Sequence, residues 1–474
     1  MTGHFMEFED LQLKKSGVTT TTIKYDKNVR RGPIKAMHGV GQPPRLGLDF
    51  SYFKYLADAH IPYSRLHDVG GWFGGNMFVD IPNIFRDFNA DVNDPASYDF
   101  VFTDMLLAAL IKNGCEPYYR LGVTIENFHD IKAYRIYPPA DFKKWAEICE
   151  HIIRHYNEGW ADGFHYGIKY WEIWNEPEDS YDQSENAMWK GTPEQFFDLY
   201  RITSRHLREC FGDKIKIGGY SACENSGIVN EKVSEALRRG KGADLSDLNM
   251  SRWDMRRVDF VDFFERFTRM VADEGLPFDF FSHHSYNSVE NNLKMQKFAE
   301  DRLDELGLSD VEIHLNEWNP CSKREKKGSS ATSAKTAAMM CAMHGTRANI
   351  MCYYDARFGM DPYAGMFNPL TLGPFCAYYS FKAFGELYNM GTEIACTSDN
   401  PTVYTLAATD GEKCGVLISN IGEDTELTLE TNDSYTVYLI DEDHMMEKID
   451  IDLTGYALKQ YQVLYVEINS PVTT

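Results

Sequence analysis

Strand-like apolar segments alternate with helical patterns through most of this 474-residue chain, from about residue 33 to residue 390. Alternation of this kind is typical of a parallel sheet covered by helices. Eight such segments indicate a sheet that closes on itself, a (β/α)8 barrel, rather than an open sheet. The predicted strands, each followed by a Gly, Asn, His or other polar residue, are Ile34–Met37, Tyr63–His67, Pro117–Leu121, Tyr170–Trp174, Ile215–Ile217, Phe278–His283, Glu312–Asn316 and Ile350–Tyr354.

Helical patterns lie between these strands. From Pro139 to Tyr156, apolar or aromatic residues recur three and four positions apart, as on one face of a helix. Thr192 followed by Pro193 has the form of a helix N-terminus, with Thr as the capping residue. The segment Ala331–Thr346 is rich in Ala and Met and is typical of a buried helix.

After about Met390 the pattern changes to short segments of alternating apolar and polar residues, separated by turn residues. This pattern predicts an all-β module, a sandwich. The segment Leu11–Lys24 is also strand-like, and we expect it to join the same module. The predicted fold class is therefore α/β: a (β/α)8 TIM barrel with an all-β sandwich accessory domain. The three parts of the chain have predicted bounds of 1–30 for the N-terminal segment that joins the sandwich, 31–390 for the barrel and 391–474 for the sandwich.

The net charge of −23 argues against nucleic acid and anionic membranes as partners, because both require basic surfaces. No apolar run is long enough for a transmembrane helix, and Met1–Lys15 does not have the pattern of a signal peptide. The ten cysteines lie far apart without zinc spacing, which favours reduced thiols and a cytoplasmic protein. We expect no metal and no cofactor. The sequence is compatible with a homo-oligomer and does not determine the oligomeric state.

Two Asn-Glu pairs stand at the ends of predicted strands, Asn175-Glu176 after the fourth and Asn316-Glu317 after the seventh. Catalytic groups of barrel enzymes lie at the C-terminal ends of the strands. Two carboxylates there are what glycoside hydrolysis requires, one to protonate the leaving oxygen and one to attack or stabilise the sugar cation. A single Asn-Glu dipeptide occurs by chance in many chains of this length. The matching positions of the two dipeptides at strand ends nevertheless favour Glu176 and Glu317 as the catalytic carboxylates.

Polar residues at the ends of other strands are candidates for the same site. Alternation places Arg65 and His67 on one face of their strand, and an inward Arg65 would keep a nearby carboxylate ionised. The alternative for Arg65 is an interior ion pair without a chemical role. His284 and Tyr286 also share a face, where His284 can hold a sugar hydroxyl and Tyr286 can hydrogen-bond the nucleophile.

Residues beside the two glutamates complete the predicted site. Asn175 can donate a hydrogen bond to a sugar 2-hydroxyl, a contact that strengthens in the transition state. Trp318 either stacks against the sugar or belongs to the core. The acidic residues Asp68, Asp80, Asp87 and Asp91 are interpreted as part of a solvated loop.

A set of short segments forms a recognisable pattern over about residues 33 to 390. They include Arg65-Leu66-His67, Gly114-Cys115-Glu116-Pro117, Trp174-Asn175-Glu176-Pro177, Ile217-Gly218-Gly219, Asp279 to Tyr286 and Asn316-Glu317-Trp318. Together these segments resemble glycoside hydrolase family 39. The resemblance implies a retaining β-xylosidase or a relative acting on plant-type oligosaccharides, with Glu176 as acid/base and Glu317 as nucleophile.

Two departures from the family pattern leave the sugar open. The third strand ends in Arg120 where the family has an acidic residue, and the eighth presents Tyr354 where the family presents a Trp to the sugar. Arg120 either binds a uronate carboxylate or pairs with an acid of the barrel. The family also includes α-L-iduronidases and exo-enzymes acting on arabinose-containing side chains, so both remain alternatives to a β-xylosidase.

The hypothesised mechanism is double displacement, which requires the two carboxyl groups to lie ~5–5.5 Å apart, against ~6.5–9.5 Å for inversion. Two other functions are compatible with the same residues. One is a carbohydrate-binding barrel without activity, and the other is a transglycosylase.

Overall fold

In this computed structural model, the described residues are 17, 19–69, 78–126, 135–223, 225–240, 242–320, 327–359 and 363–469. After a long first strand, β1 (Thr20–Pro33), the chain forms a closed barrel of eight parallel strands. Each barrel strand pairs with its neighbours in chain order, and the last pairs with the first. The predicted (β/α)8 barrel is thus confirmed. Its strands are β2 (Ala36–Gly41), β3 (Tyr63–Leu66), β4 (Glu116–Leu121), β5 (Tyr170–Ile173), β6 (Lys216–Ala222), β7 (Phe280–Ser285), β8 (Glu312–Trp318) and β9 (Ala348–Tyr354).

Helices cover the outside of the barrel, and their ends follow local capping chemistry. Asp141 accepts hydrogen bonds from the backbone of Lys143 and Lys144, so the helix predicted from Pro139 begins only after this cap. Thr192 forms a capping box with Gln195, which confirms the start predicted at Pro193. The helices are α1 (Lys54–Asp58), α2 (Ile81–Ile84), α3 (Val101–Lys112), α4 (Phe142–Glu158), α5 (Pro193–Phe211), α6 (Glu231–Arg239), α7 (Arg252–Glu274), α8 (Val289–Glu305), α9 (Ser330–His344) and α10 (Cys376–Met390).

Two barrel strands extend beyond the glycines that were expected to end them. A Cβ on Gly218 would lie 2.1 Å from the backbone oxygen of Phe280, and one on Gly39 would lie 2.7 Å from that of Met351. These glycines therefore allow neighbouring strands to approach closely. As a consequence β6 continues to Ala222, and β2 lies several residues later than predicted.

Aromatic rings fill the lower half of the barrel. The rings of Tyr118 and Tyr170 stack with centroids 5.5 Å apart, and those of Phe280 and His314 stack at 4.8 Å. All four side chains are buried. A substrate can therefore bind only above this layer, at the C-terminal ends of the strands.

The C-terminal region forms a nine-stranded sheet together with β1, which confirms the all-β accessory domain. β1 pairs antiparallel with the first strand of this region and parallel with the fourth. The sheet curls, so that Leu427 near one end and Leu439 near the other belong to the same apolar core. The division of the chain at residues 30 and 390 stays a prediction. The remaining strands are β10 (Thr392–Ser398), β11 (Val403–Thr409), β12 (Cys414–Asn420), β13 (Thr425–Glu430), β14 (Tyr435–Ile440), β15 (Met445–Ile449), β16 (Thr454–Leu458) and β17 (Val463–Ile468).

The curled sheet packs against the last two barrel helices. Leu417 of β12 and Leu387 of α10 lie in the same large apolar cluster as the barrel. The hydroxyl of Ser419 donates a hydrogen bond of 2.7 Å to the backbone oxygen of Ala334 in α9. Barrel and sheet therefore share an apolar interface, in addition to the core of the sheet itself. Among the helices that the structure describes, none has the length and apolar character needed to cross a bilayer.

Candidate active site

The chain turns sharply after β5. Trp174 and Glu176 both have left-handed backbone conformations, with φ of 69° and 44°. Such conformations are costly for residues other than glycine and cluster at functional sites. The turn is fixed by the Trp174 indole, which donates to the backbone oxygen of Met188 at 3.0 Å, and by the Glu176 amide, which donates to that of Ser221 at 3.0 Å.

A bulge in β8 brings its two polar residues to the same side. His283 pairs with Leu315, whereas His284 pairs with Glu317, which leaves Asn316 as an extra residue. A bulge of this kind changes the direction of a side chain next to it. Asn316 therefore donates to the buried carboxylate of Glu172, while the adjacent Glu317 also points into the barrel, towards Arg65.

The guanidinium of Arg65 connects the residues of the barrel mouth. Its Nε donates to Glu172 Oε2 at 2.8 Å, and its Nη1 donates to Glu317 Oε2 at 3.2 Å. Its Nη2 donates to Asn175 Oδ1 and to Ser221 Oγ, both at 2.5 Å. Arg65 is fully buried, so its charge is balanced by carboxylates and not by solvent.

His284 and Tyr286 contact the two predicted catalytic carboxylates. The Tyr286 hydroxyl donates to Glu317 Oε1. His284 Nδ1 lies 2.6 Å from Glu176 Oε1, and its Nε2 lies 2.6 Å from Ser221 Oγ and 3.4 Å from Glu317 Oε2. A carboxylate oxygen of Glu176, one of Glu317 and a ring nitrogen of His284 lie within 4.8 Å of one another. The two glutamates therefore face each other across one small space.

Burial shifts the pKa values of Glu176, Glu317 and His284. Burial, followed by the nearby charge of Asp179, raises the pKa of Glu176 to about 8. Burial also raises the pKa of Glu317 above its usual value, opposed by His284 and Arg65. Burial lowers the pKa of His284 to about 4, so its imidazole is neutral at neutral pH. Near neutral pH, Glu176 is consequently protonated.

A second polar network borders the site on the side of β3 and β9. The side-chain amide of Gln42 donates to the Tyr354 hydroxyl at 2.8 Å, and that hydroxyl donates to Asp68 Oδ2 at 3.2 Å. His67 Nε2 lies 3.2 Å from Asp68 Oδ1. Burial raises the pKa of Asp68 to about 6. His67, Tyr354 and Asp68 therefore form one hydrogen-bonded wall beside the carboxylates.

The model of glycosyl hydrolases family 39 matches residues 58–354, which is more than half of the chain. The chain belongs to this family. It is accordingly a retaining glycoside hydrolase that acts on a carbohydrate.

Solved structures share the architecture of this family 39 hydrolase. A glucosidase from Croceicoccus marinus is similar with a TM-score of 0.74 and 19% identity, over 97% of this chain and 100% of that one. A GH39 β-xylosidase from Caulobacter crescentus has a TM-score of 0.65 and 14% identity, over 94% and 99% of the two chains. The GH39 enzyme from Xanthomonas axonopodis pv. citri has a TM-score of 0.64 and 14% identity, over 95% of this chain and 97% of that one. Identities this low support the fold and leave the sugar open.

Most of the predicted site residues of this hydrolase lie together. Arg65, Asn175, His284 and Tyr286 surround Glu176 and Glu317, while His67 and Tyr354 stand in the adjacent wall. Arg120 pairs with Asp80 at 2.7 Å, and both side chains are fully buried. The structure thus contains the ion pair with a barrel acid, which is one of the two alternatives for Arg120, and the binding of a uronate by Arg120 stays a prediction.

Trp318 does not contact the site. Its ring is fully buried, with its edge against Tyr353 at 5.4 Å and a stacked contact with Phe381 of α10 at 6.3 Å. The expectation of a sugar-stacking wall at Trp318 is therefore wrong, and the core alternative holds. The physical reason is the bulge at Asn316, after which Glu317 points into the barrel and Trp318 points out.

Four buried polar residues at or beside the site were not predicted from the sequence. Glu172 shares the inward face of its strand with Tyr170, which simple alternation would have indicated. Ser221 lies beyond Gly218 and Gly219, which were interpreted as the end of the strand. Asp68 and the ion-paired Asp80 are buried, so their interpretation as a solvated loop is wrong.

The cluster of Glu176, His284 and Glu317 also has the atom types that bind divalent metals. Both nitrogens of His284 are already engaged, Nδ1 with Glu176 and Nε2 with Ser221. A metal would have to displace these contacts, so we interpret the cluster as a hydrogen-bonded network.

Proposed function

We propose that the protein is a β-xylosidase-like exo-glycosidase that removes terminal sugars from plant-type oligosaccharides. In this proposal Glu176 is the general acid/base and Glu317 is the nucleophile. The observation that carries it is the approach of their carboxylate oxygens within 4.8 Å. This approach is compatible with the ~5–5.5 Å between carboxyl groups in retaining enzymes and favours it over the ~6.5–9.5 Å of inverting enzymes.

The first step requires an ionised nucleophile and a protonated acid. Arg65 and the Tyr286 hydroxyl both donate to Glu317, and these contacts favour its charged form. Glu317 attacks the anomeric carbon, while Glu176 gives its proton to the departing oxygen. The glycosidic bond breaks and an ester forms between the sugar and Glu317.

The second step reverses the role of Glu176. Its carboxylate, left without a proton, takes one from a water molecule that attacks the anomeric carbon of the ester. Glu317 leaves as a carboxylate, and the sugar is released with its original anomeric configuration. A raised pKa for Glu176 suits both roles, because the group must exchange a proton near neutral pH.

The charge of the described site supports a neutral sugar. The positive charge of Arg65 is balanced by Glu172 and Glu317, and that of Arg120 by Asp80. A uronate would add a further negative charge beside Glu317, which is unfavourable. A neutral pentose meets no such repulsion.

One observation favours the uronic acid alternative. The Nε and Nη1 of the buried Arg120 have no hydrogen-bond partner among the described residues. A panel of aryl glycosides separates the two substrates, with β-xyloside, α-L-arabinosides, β-galactoside, β-glucoside and α-L-iduronide. Turnover of the β-xyloside is expected to exceed that of the iduronide. The reverse order would favour the alternative.

Trapping the ester tests the assigned nucleophile directly. Incubation with an activated 2-deoxy-2-fluoro xyloside, which slows the second step, should attach one sugar to the peptide containing Glu317. Glu317→Gln should give no adduct under the same conditions. A label on any other residue would contradict the assignment, and inversion of the anomeric configuration, followed by NMR, would contradict the mechanism.

A further inference from the structure

Three side chains with metal-binding atoms meet between α4 and α5, outside the active site. Glu150 belongs to α4, whereas His206 and Cys210, four residues apart, lie on one face of α5. His206 Nε2 is 2.6 Å from Glu150 Oε2 and 3.8 Å from Cys210 Sγ. All three ligand atoms lie within 4.8 Å of one another.

We propose that Glu150, His206 and Cys210 bind a divalent metal ion of the zinc type, with water as the fourth ligand. Zinc prefers tetrahedral coordination by sulfur, imidazole nitrogen and carboxylate oxygen. Its usual bond lengths place nitrogen and sulfur ligands about 3.6 Å apart, and nitrogen and oxygen ligands about 3.4 Å apart. The Sγ of Cys210 is already close to its required distance. The ion would replace the direct contact between His206 Nε2 and Glu150 Oε2, which would widen from 2.6 Å to about 3.4 Å.

A hydrogen bond from a neighbouring helix residue orients the Glu150 carboxylate. Arg154 Nε donates to Glu150 Oε1 at 2.7 Å, which leaves Oε2 directed at His206. Ligating carboxylates in metal sites are commonly oriented by a second hydrogen bond of this kind. The three side chains are only partly buried, so an ion and a water molecule can reach them. A bound metal would join the two helices that flank β5, the strand that leads to Glu176.

The alternative is a simple ion pair between the helices, made by His206 and Glu150. It requires no metal and gives Cys210 no role. The two interpretations differ in whether the thiol binds the ion, and this difference determines the experiment.

Cobalt(II) is the probe, because a thiolate bound to cobalt gives a charge-transfer absorption band in the near ultraviolet. The full-length, reduced protein should develop this band with a stoichiometry of one ion per chain. Cys210→Ser should abolish the band. Cys396→Ser is the matched control, since Cys396 is the other partly exposed cysteine among those described and lies in the curled sheet. It should leave the band unchanged.

Zinc(II) provides a second readout. It should displace cobalt from the wild-type protein and raise its Tm, and the rise should disappear in Cys210→Ser. His206→Gln, which keeps a polar bond to Glu150 but removes the imidazole, should weaken zinc binding at least tenfold. An absent thiolate band, or equal zinc affinity in wild type and both variants, would overturn the proposal and leave the ion pair.

Hydrolysis of an aryl glycoside separates this site from the active site. A metal held by Glu176, His284 and Glu317 would inhibit hydrolysis and would give no thiolate band. A metal held by Cys210 should leave hydrolysis unchanged at concentrations that saturate the band. Failure of the metal site would not affect the proposed glycosidase function, because the two share no residue.

Discussion

His284 is the hydrogen-bond partner of the Glu176 carboxyl group. A neutral imidazole has one donor and one acceptor nitrogen. Glu176, protonated near neutral pH, donates to Nδ1, so the ring proton resides on Nε2 and is donated to Ser221. Glu176 thus has an acceptor for its proton when no substrate is bound. The same contact must break when Glu176 turns towards a glycosidic oxygen.

The pH profile of the enzyme should reflect the pKa of Glu176. The acid must be protonated in the first step, so kcat/KM should fall as pH rises through about 8. On the acidic side, kcat/KM should fall at a pH above the usual range of a glutamate, because the pKa of Glu317 is also raised. Initial rates with an aryl glycoside between pH 4 and pH 10 measure both limbs.

Asp179 provides the control for this assignment. Its charge contributes to the raised pKa of Glu176, so Asp179→Asn should move the basic limb to lower pH. A basic limb that stays in place would show that another group controls it.

Removing the acid should affect substrates according to their leaving groups. Glu176→Gln cannot donate a proton, so hydrolysis of an unactivated disaccharide should fall by about 10²–10⁴-fold. An aryl glycoside with a good leaving group needs little protonation, and its first step, measured as a burst of released phenol, should be nearly unchanged. Equal loss on both substrates would contradict the role of Glu176.

At the scale of elements, the sequence predicts the barrel well because each strand-helix unit carries its own periodicity. It predicts that Glu176 and Glu317 lie together because polar residues after apolar strands lie at the same rim of a parallel barrel. The sequence does not reveal which way Trp318 points, because one bulged residue reverses the inward and outward alternation of side chains along β8. This bulge depends on the pairing of β8 with β7. Ser221 was missed for a similar reason, since the spacing between β6 and β7 requires the glycines that resembled a turn.

Gly218 tests this account of β6. Gly218→Ala would bring a methyl group against the backbone of Phe280, and overpacking of this kind costs about 1–3 kcal/mol of unfolding free energy. Gly373→Ala is the control, because its Cβ would meet only the Thr371 hydroxyl at an ordinary 3.6 Å. Urea denaturation should show a lower midpoint for the first variant and little change for the second. Similar midpoints would mean that β6 and β7 separate easily.

At the scale of the whole molecule, the apolar interface between barrel and sheet implies that the two unfold together. Leu417 is fully buried between them, so Leu417→Ala should cost about 2–5 kcal/mol. Thermal unfolding of the wild type and the variant should show one transition, at a lower temperature in the variant. Two separated transitions in either protein would contradict this coupling between barrel and sheet.

The pairing of β1 has a consequence for how the protein is made. The ribosome synthesises β1 before every strand of the barrel, yet its partners β10 and β13 emerge only after all of them. Until then the Thr-rich strand has exposed backbone groups on both edges, a condition that invites pairing with other chains. Nascent chains interrupted before β13 should therefore depend on chaperones, even though their catalytic half is already complete.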